Sequence, residues 1–106
     1  MAMNHIGSIG VPALKTAVPE MSRDFSFIVD GRDKFGLGFL INAESVPGKR
    51  AAGSLSWAGV DNTYFWIDRT SGVVAVVMMQ FLPFADARAL DVHDVFERGV
   101  YQLAQP

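Results

Sequence analysis

The chain has 106 residues, half of them hydrophobic, and a formal net charge of -2 from nine Lys and Arg against eleven Asp and Glu. That length fits one domain with one modest core, its scattered basic residues give no nucleic-acid signature, and its lack of cysteine excludes disulfides, thiolate metal sites and cysteine nucleophiles. The longest apolar run, Gly72 to Met79, falls far short of the ~20 residues of a membrane span, and the opening MAMNHIGSIG lacks the basic and apolar regions of a signal peptide, so no membrane partner and a cytoplasmic location are expected.

Residues 1–34 read as an irregular segment, because Gly7, Gly10, Pro12, Pro19 and Gly31 interrupt every window. Pro12 to Ala17 is compatible with one short helix opened by proline. A second region, 35–106, reads as a single domain. FGLGFLI predicts a first strand over 35–42, followed by a long turn in NAESVPGKR. GSLSWAG predicts a second strand over 52–59, with Leu55 and Trp57 on one face and Ser54, Ser56 and Ala58 on the other.

Gly59-Val-Asp-Asn gives a turn, and Thr63 to Asp68 a third strand. Asp68-Arg-Thr-Ser-Gly turns again into a fourth strand, Val73 to Phe81, which is apolar on both faces until Gln80. After Pro83 the period becomes helical: Ala85, Ala89, Val92, Phe96, Val100 and Leu103 share a face, and Asp86 is placed to cap the start. The expected fold class is α+β: an antiparallel sheet of about four strands in meander order, with a C-terminal helix packed on one face.

Few residues carry chemistry on their own. His5 and His93 are far apart, and both read as solvated side chains rather than metal ligands. Asp61 and Asp68 read as turn formers unless the fold brings them together as an acid/base pair. Gly36-Leu-Gly38 lacks the third glycine and the helix of a dinucleotide loop. Phe65, Trp66, Phe81, Phe84 and Phe96 read as packing. None of the seven serines lies in Gly-x-Ser-x-Gly or opens Ser-x-x-Lys, and neither tyrosine opens Tyr-x-Asn. No catalytic residue, metal or cofactor is therefore assigned.

FGLGF, then GSLSWAGVDNTYFWIDRTSGVVAVVMMQ, then LPF and a helix carrying FERGVY, resembles the last third of serine β-lactamase-like hydrolases: class C β-lactamases, penicillin-binding proteins and their esterase relatives. The resemblance runs from about Phe35 to Tyr101 and implies a partial β-lactamase-like (transpeptidase-like) fold. It implies that Trp57, Ala58 and Gly59 stand where the family's Lys-Thr-Gly binds substrate, and that the backbone N-H of Val60 is an oxyanion-hole donor. The family's Ser-x-x-Lys and Tyr-x-Asn have no counterpart here.

The same resemblance implies that Val73, Val74, Ala75, Val76, Val77, Met78 and Met79 form an edge whose usual partner strands are absent. Three readings follow. The favoured one is a non-catalytic fragment whose edge pairs with a second copy or is covered by the N-terminal segment. The second is part of an ester or β-lactam hydrolase completed by a complementary chain. The third is a small-molecule or peptide-binding module using a groove at Trp57, with Tyr64, Trp66 and Phe35 as candidate lining.

Overall fold

The structure is a computed structural model that describes residues 1–26 and 31–104. Residues 27–30 of the expected N-terminal segment, and the last two of the expected 35–106 domain, lie outside the described residues.

Five strands precede one helix: β1 (Lys34–Phe35), β2 (Leu40–Ile41), β3 (Leu55–Gly59), β4 (Thr63–Asp68), β5 (Val73–Val77) and α1 (Ala87–Ala104). They form one antiparallel meander in the order β1-β2-β3-β4-β5. The extra strand arises because the expected strand over 35–42 folds back on itself. The Gly36 N-H donates to the Phe39 carbonyl at 2.9 Å, turning the chain between Phe35 and Leu40. Glycine is required at that point, since a Cβ on Gly36 would lie 2.0 Å from the Met1 carbonyl oxygen.

The N-terminal segment lies along β1. His5 N-H donates to the Phe35 carbonyl, Leu37 N-H to that of Met1, and Val11 N-H to that of Asp33. Lys34 Nζ donates to the carbonyls of Gly7 and Ile9. The expected short helix over 12–17 does not form: Leu14 instead bridges antiparallel to Phe25, and Ser22 bridges parallel to Phe84. Extended pairing satisfies the Leu14 N-H and C=O, which one isolated helical turn would not.

The last strand is shorter than expected. It ends at Val77, because the Thr63 hydroxyl takes the Met79 carbonyl and the Phe81 N-H donates to the Asp61 carbonyl, drawing 78–81 across the end of the sheet. Its faces also differ from a doubly covered strand, for Val74 and Val76 are 70% and 51% exposed.

Register fixes which residues share a face. Leu40, Ser56, Trp66 and Ala75 lie in line across four strands, and Trp66 faces α1, where its Nε1-H donates to the Tyr101 hydroxyl at 3.0 Å. The helix therefore covers the face carrying Ser56 and Ala58, while Leu55, Trp57, Phe65, Val74 and Val76 take the other. Small β3 residues suit the covered face because Trp66, fully buried, already fills the space beside them.

The helix is rotated from its expected orientation. Ala89, His93, Glu97 and Tyr101 point at the sheet, while Val92 and Leu103 are exposed. Hydrogen bonding sets this orientation. Arg50, from the loop before β3, makes a bidentate pair with Glu97 at 2.7 and 3.1 Å, with both side chains buried, and its guanidinium lies 4.8 Å over the Trp66 ring. Tyr101 donates to Asp68 Oδ2 at 2.8 Å. Asp86 caps the helix, its carboxylate accepting the Arg88 N-H.

Asp68 is more than a turn former. Its carboxylate accepts the N-H groups of Ser71 and Ala51 and the Tyr101 hydroxyl. Burial disfavours the charge, yet these bonds together outweigh it and hold the carboxyl at about 2, while burial and the Asp68 contact push the Tyr101 hydroxyl up.

A depressed folded-state pKa adds stability above the unfolded pKa and loses it as pH falls through the folded value. Asp68→Asn should therefore cost about 2 kcal/mol at neutral pH, with the gap to the parent closing between about pH 4 and pH 2 in urea unfolding series. Arg50→Ala, which strands a buried Glu97, should cost about 3–5 kcal/mol in the same assay.

Candidate functional site

The β3 ending is held from beneath by Asn62. Its backbone adopts the left-handed region (φ 65°), which asparagine tolerates better than most residues, and its N-H closes the turn on the Gly59 carbonyl. The buried side chain is saturated: Nδ2 donates to the carbonyls of Phe81 and Pro83, and Oδ1 accepts from the Tyr64 hydroxyl and the Ala85 N-H. One side chain thus joins the turn after β3 to the segment leading into α1. Sequence reading placed a turn here without singling out Asn62; asparagine at a position needing positive φ was the available signal.

Above that anchor the four residues assigned by resemblance separate. Trp57 lies on the face away from the helix, 43% exposed, with its ring edge-on to Phe35 at 5.3 Å. Ala58 is half-buried on the covered face, and Gly59 and Val60 are exposed in the turn. Among the described residues no hydrogen bond occupies the Val60 N-H. A free amide directly after a glycine is a group that can stabilise developing negative charge on oxygen.

Of the candidate groove residues, Tyr64 faces the helix, Trp66 is wholly buried, and Phe35 packs on the opposite face with Trp57. A cavity of about 440 Å³ lies between β3, β4, α1 and the 14–26 segment; Ala58 and Tyr64 from the covered face, and Trp57 and Phe65 from the other, all border it.

Asp61 and Asp68 flank β4 at opposite ends, so they do not form a pair. His93 is not a solvated side chain: only 15% of it is exposed, and it packs edge-on to Tyr64 at 5.0 Å and beside Trp66 at 5.6 Å. The charged neighbours in sequence obscured this, because Asp94 turns outward to Lys49 and Arg98 while His93 turns in.

Among the described residues, Val73 to Val77 of β5 pair with β4 alone, and Met78 and Met79 lie beyond the strand. The N-terminal segment does not cover that edge among the described residues. It follows β1 on the far side of the sheet and meets Phe84 past the end of β5.

No protein-family model matches the chain. Monacolin J acid methylbutanoyltransferase of Aspergillus terreus is 33% identical over 76 residues, 70% of this chain and 18% of that protein. Unliganded simvastatin synthase from Aspergillus terreus superposes with a TM-score of 0.67 at 32% identity, covering 71% of this chain and 20% of that one. Its selenomethionyl derivative gives a TM-score of 0.67 over 70% and 19%. The resemblance to the serine β-lactamase-like fold therefore holds as homology over about 70% of the chain, at about a third identity. The chain spans about a fifth of the length of these relatives.

Asn62→Ala strands several buried partners at once and should cost at least about 2 kcal/mol, read as a lower urea midpoint. Asn62→Gly, which keeps the backbone conformation without the side chain, should be similarly destabilised if the side-chain bonds dominate.

Proposed function

We propose that the chain is a non-catalytic part of a β-lactamase-like hydrolase or acyltransferase fold that works by association, two copies pairing through β5. The observation that carries this reading is the asymmetry of the sheet: one edge is strapped by residues 1–11, and the other pairs with nothing among the described residues. Unpaired strand edges are templates for another strand.

Two features favour a second copy as the occupant. The strand reads Val73-Val74-Ala75-Val76-Val77, a palindrome about Ala75. A two-fold axis there would set Val74 against Val76 of the other copy in antiparallel register, as an isologous contact requires. Beside that edge, α1 carries an apolar stripe. Leu90 and Asp94 flank the cavity, so by helical period Val92, Phe96 and Leu103 fall on the other flank, where Val100 packs with Val77 against the core. Pairing through β5 would bring two such stripes together.

A second reading is favoured by the free Val60 N-H. Here the chain supplies the oxyanion wall of an acyl-transfer site whose nucleophile and base come from another polypeptide. Methylbutanoyl transfer is named for a relative about four times as long, and the chemistry would reach this chain only through such a partner. Ester turnover that appears on mixing with a chain carrying Ser-x-x-Lys, and falls away with Val60→Pro, is the expected signature.

Light scattering on the isolated chain should give a dimer. Mixing Val74→Cys with Val76→Cys should yield a disulfide-linked dimer under mild oxidation, which neither variant forms alone, and Val76→Lys should weaken association by about tenfold or more. A monomer at high concentration rejects the association reading.

A further inference from the structure

The cavity beside α1 lies across the helix from the β5 flank and includes neither Gly59 nor Val60. Leu40 and Ser56 form its floor, and Leu14, Phe25, Phe84 and Leu90 its walls. At about 440 Å³ it falls within the range of small-molecule sites, about 300–1,000 Å³. The lining is mostly apolar, with Lys49, Arg50, Asp94 and Glu97 also bordering it, and the N-terminal wall is tied by the Leu14–Phe25 and Ser22–Phe84 bridges and by ring packing of Phe25 on Phe84 at 5.2 Å.

Two polar side chains reach this cavity without a partner. Ser56 is buried, yet among the described residues no hydrogen bond reaches its hydroxyl. The half-buried His93 imidazole also lines the cavity and has no hydrogen bond among the described residues: Glu97 Oε1 lies 3.9 Å from Nδ1, outside hydrogen-bond range. Both groups open onto the cavity rather than being sealed in protein, so they are hydrogen-bonding groups that a ligand's polar end could meet there.

The charges nearby are already spent on each other. Lys49 pairs with Asp94, and Arg50 with Glu97, which leaves no uncompensated charge for an ionic ligand. Burial first, with the Arg50 and Lys49 charges, outweighs Glu97 and lowers the His93 pKa. The imidazole is then neutral at pH 7 and can both donate and accept.

We propose that this cavity binds a neutral, mostly apolar small molecule with one hydrogen-bonding head group, an alcohol or an ester. The head group meets Ser56 and His93, and the alkyl or aryl body lies against Leu14, Phe25, Leu40, Phe84 and Leu90. The site depends neither on β5 pairing nor on the Val60 amide.

NMR titration of the full chain with 1-octanol, methyl octanoate, octanoate and octylammonium tests this. The alcohol and the ester should saturably shift the His93 ring and the Leu40 and Leu90 methyl signals, with the two ions weaker by about tenfold or more. Ser56→Ala and His93→Phe should each weaken 1-octanol binding several-fold. Leu90→Trp should block it, and Ser56→Ala serves as the gentler variant if Leu90→Trp fails to fold. The proposal is overturned if no probe gives a saturable shift, if the ions bind as tightly as the alcohol, or if the Ser56 and His93 variants bind unchanged. None of these outcomes depends on the oligomeric state, so failure here and failure of β5 pairing are distinguishable.

Discussion

The buried Arg50–Glu97 pair sits where the loop before β3, the helix and the sheet meet, and the rest of the packing is arranged to keep it satisfied. Two charges out of water are tolerable only when geometry and further hydrogen bonds are complete. Here the fork is bidentate, the Arg50 N-H adds a third contact to Glu97, and the guanidinium rests on Trp66. Trp66 in turn donates to Tyr101, and Tyr101 to Asp68, whose other bonds come from Ala51 and Ser71. The chain of contacts returns to the residue next to Arg50, closing a ring through all three elements.

That ring explains why a modest apolar core suffices to orient the helix. The buried apolar cluster consists of Trp66, Val73, Ala75 and Tyr101, and two of these four are also members of the polar network. Apolar contact alone would leave the helix free to roll toward its more hydrophobic stripe. Directional bonds hold Glu97 and Tyr101 inward instead, and the Val92, Phe96, Leu103 stripe is left on a flank. Specific polar contacts here determine orientation more than they add stability.

The orientation has functional consequences on both flanks. Toward β5 it places exposed apolar residues beside a strand whose outer edge pairs with nothing among the described residues. Toward β3 it turns His93 inward beside Tyr64 and opens a cavity against the N-terminal segment. At the β3 ending, fixed by Asn62, no hydrogen bond among the described residues occupies the Val60 amide, in a segment homologous to part of a far longer acyltransferase.

Much of this was written locally in the sequence. Alternation in TYFWID, the short apolar run VVAVV, the Gly-Val-Asp-Asn and Asp-Arg-Thr-Ser-Gly turns, and the helical period after Pro83 determined a meander followed by a helix, because those signals act over a few residues. Tertiary structure alone decided which face of the helix is buried, that FGLGFLI doubles back, that the N-terminal segment straps β1, and that His93 is enclosed. Each depends on partners distant in the chain: Glu97 on Arg50, Gly36 on Met1, Val11 on Asp33, and His93 on Tyr64 and Trp66. Periodicity records what a residue prefers, and only folding brings together the groups that can satisfy or override that preference.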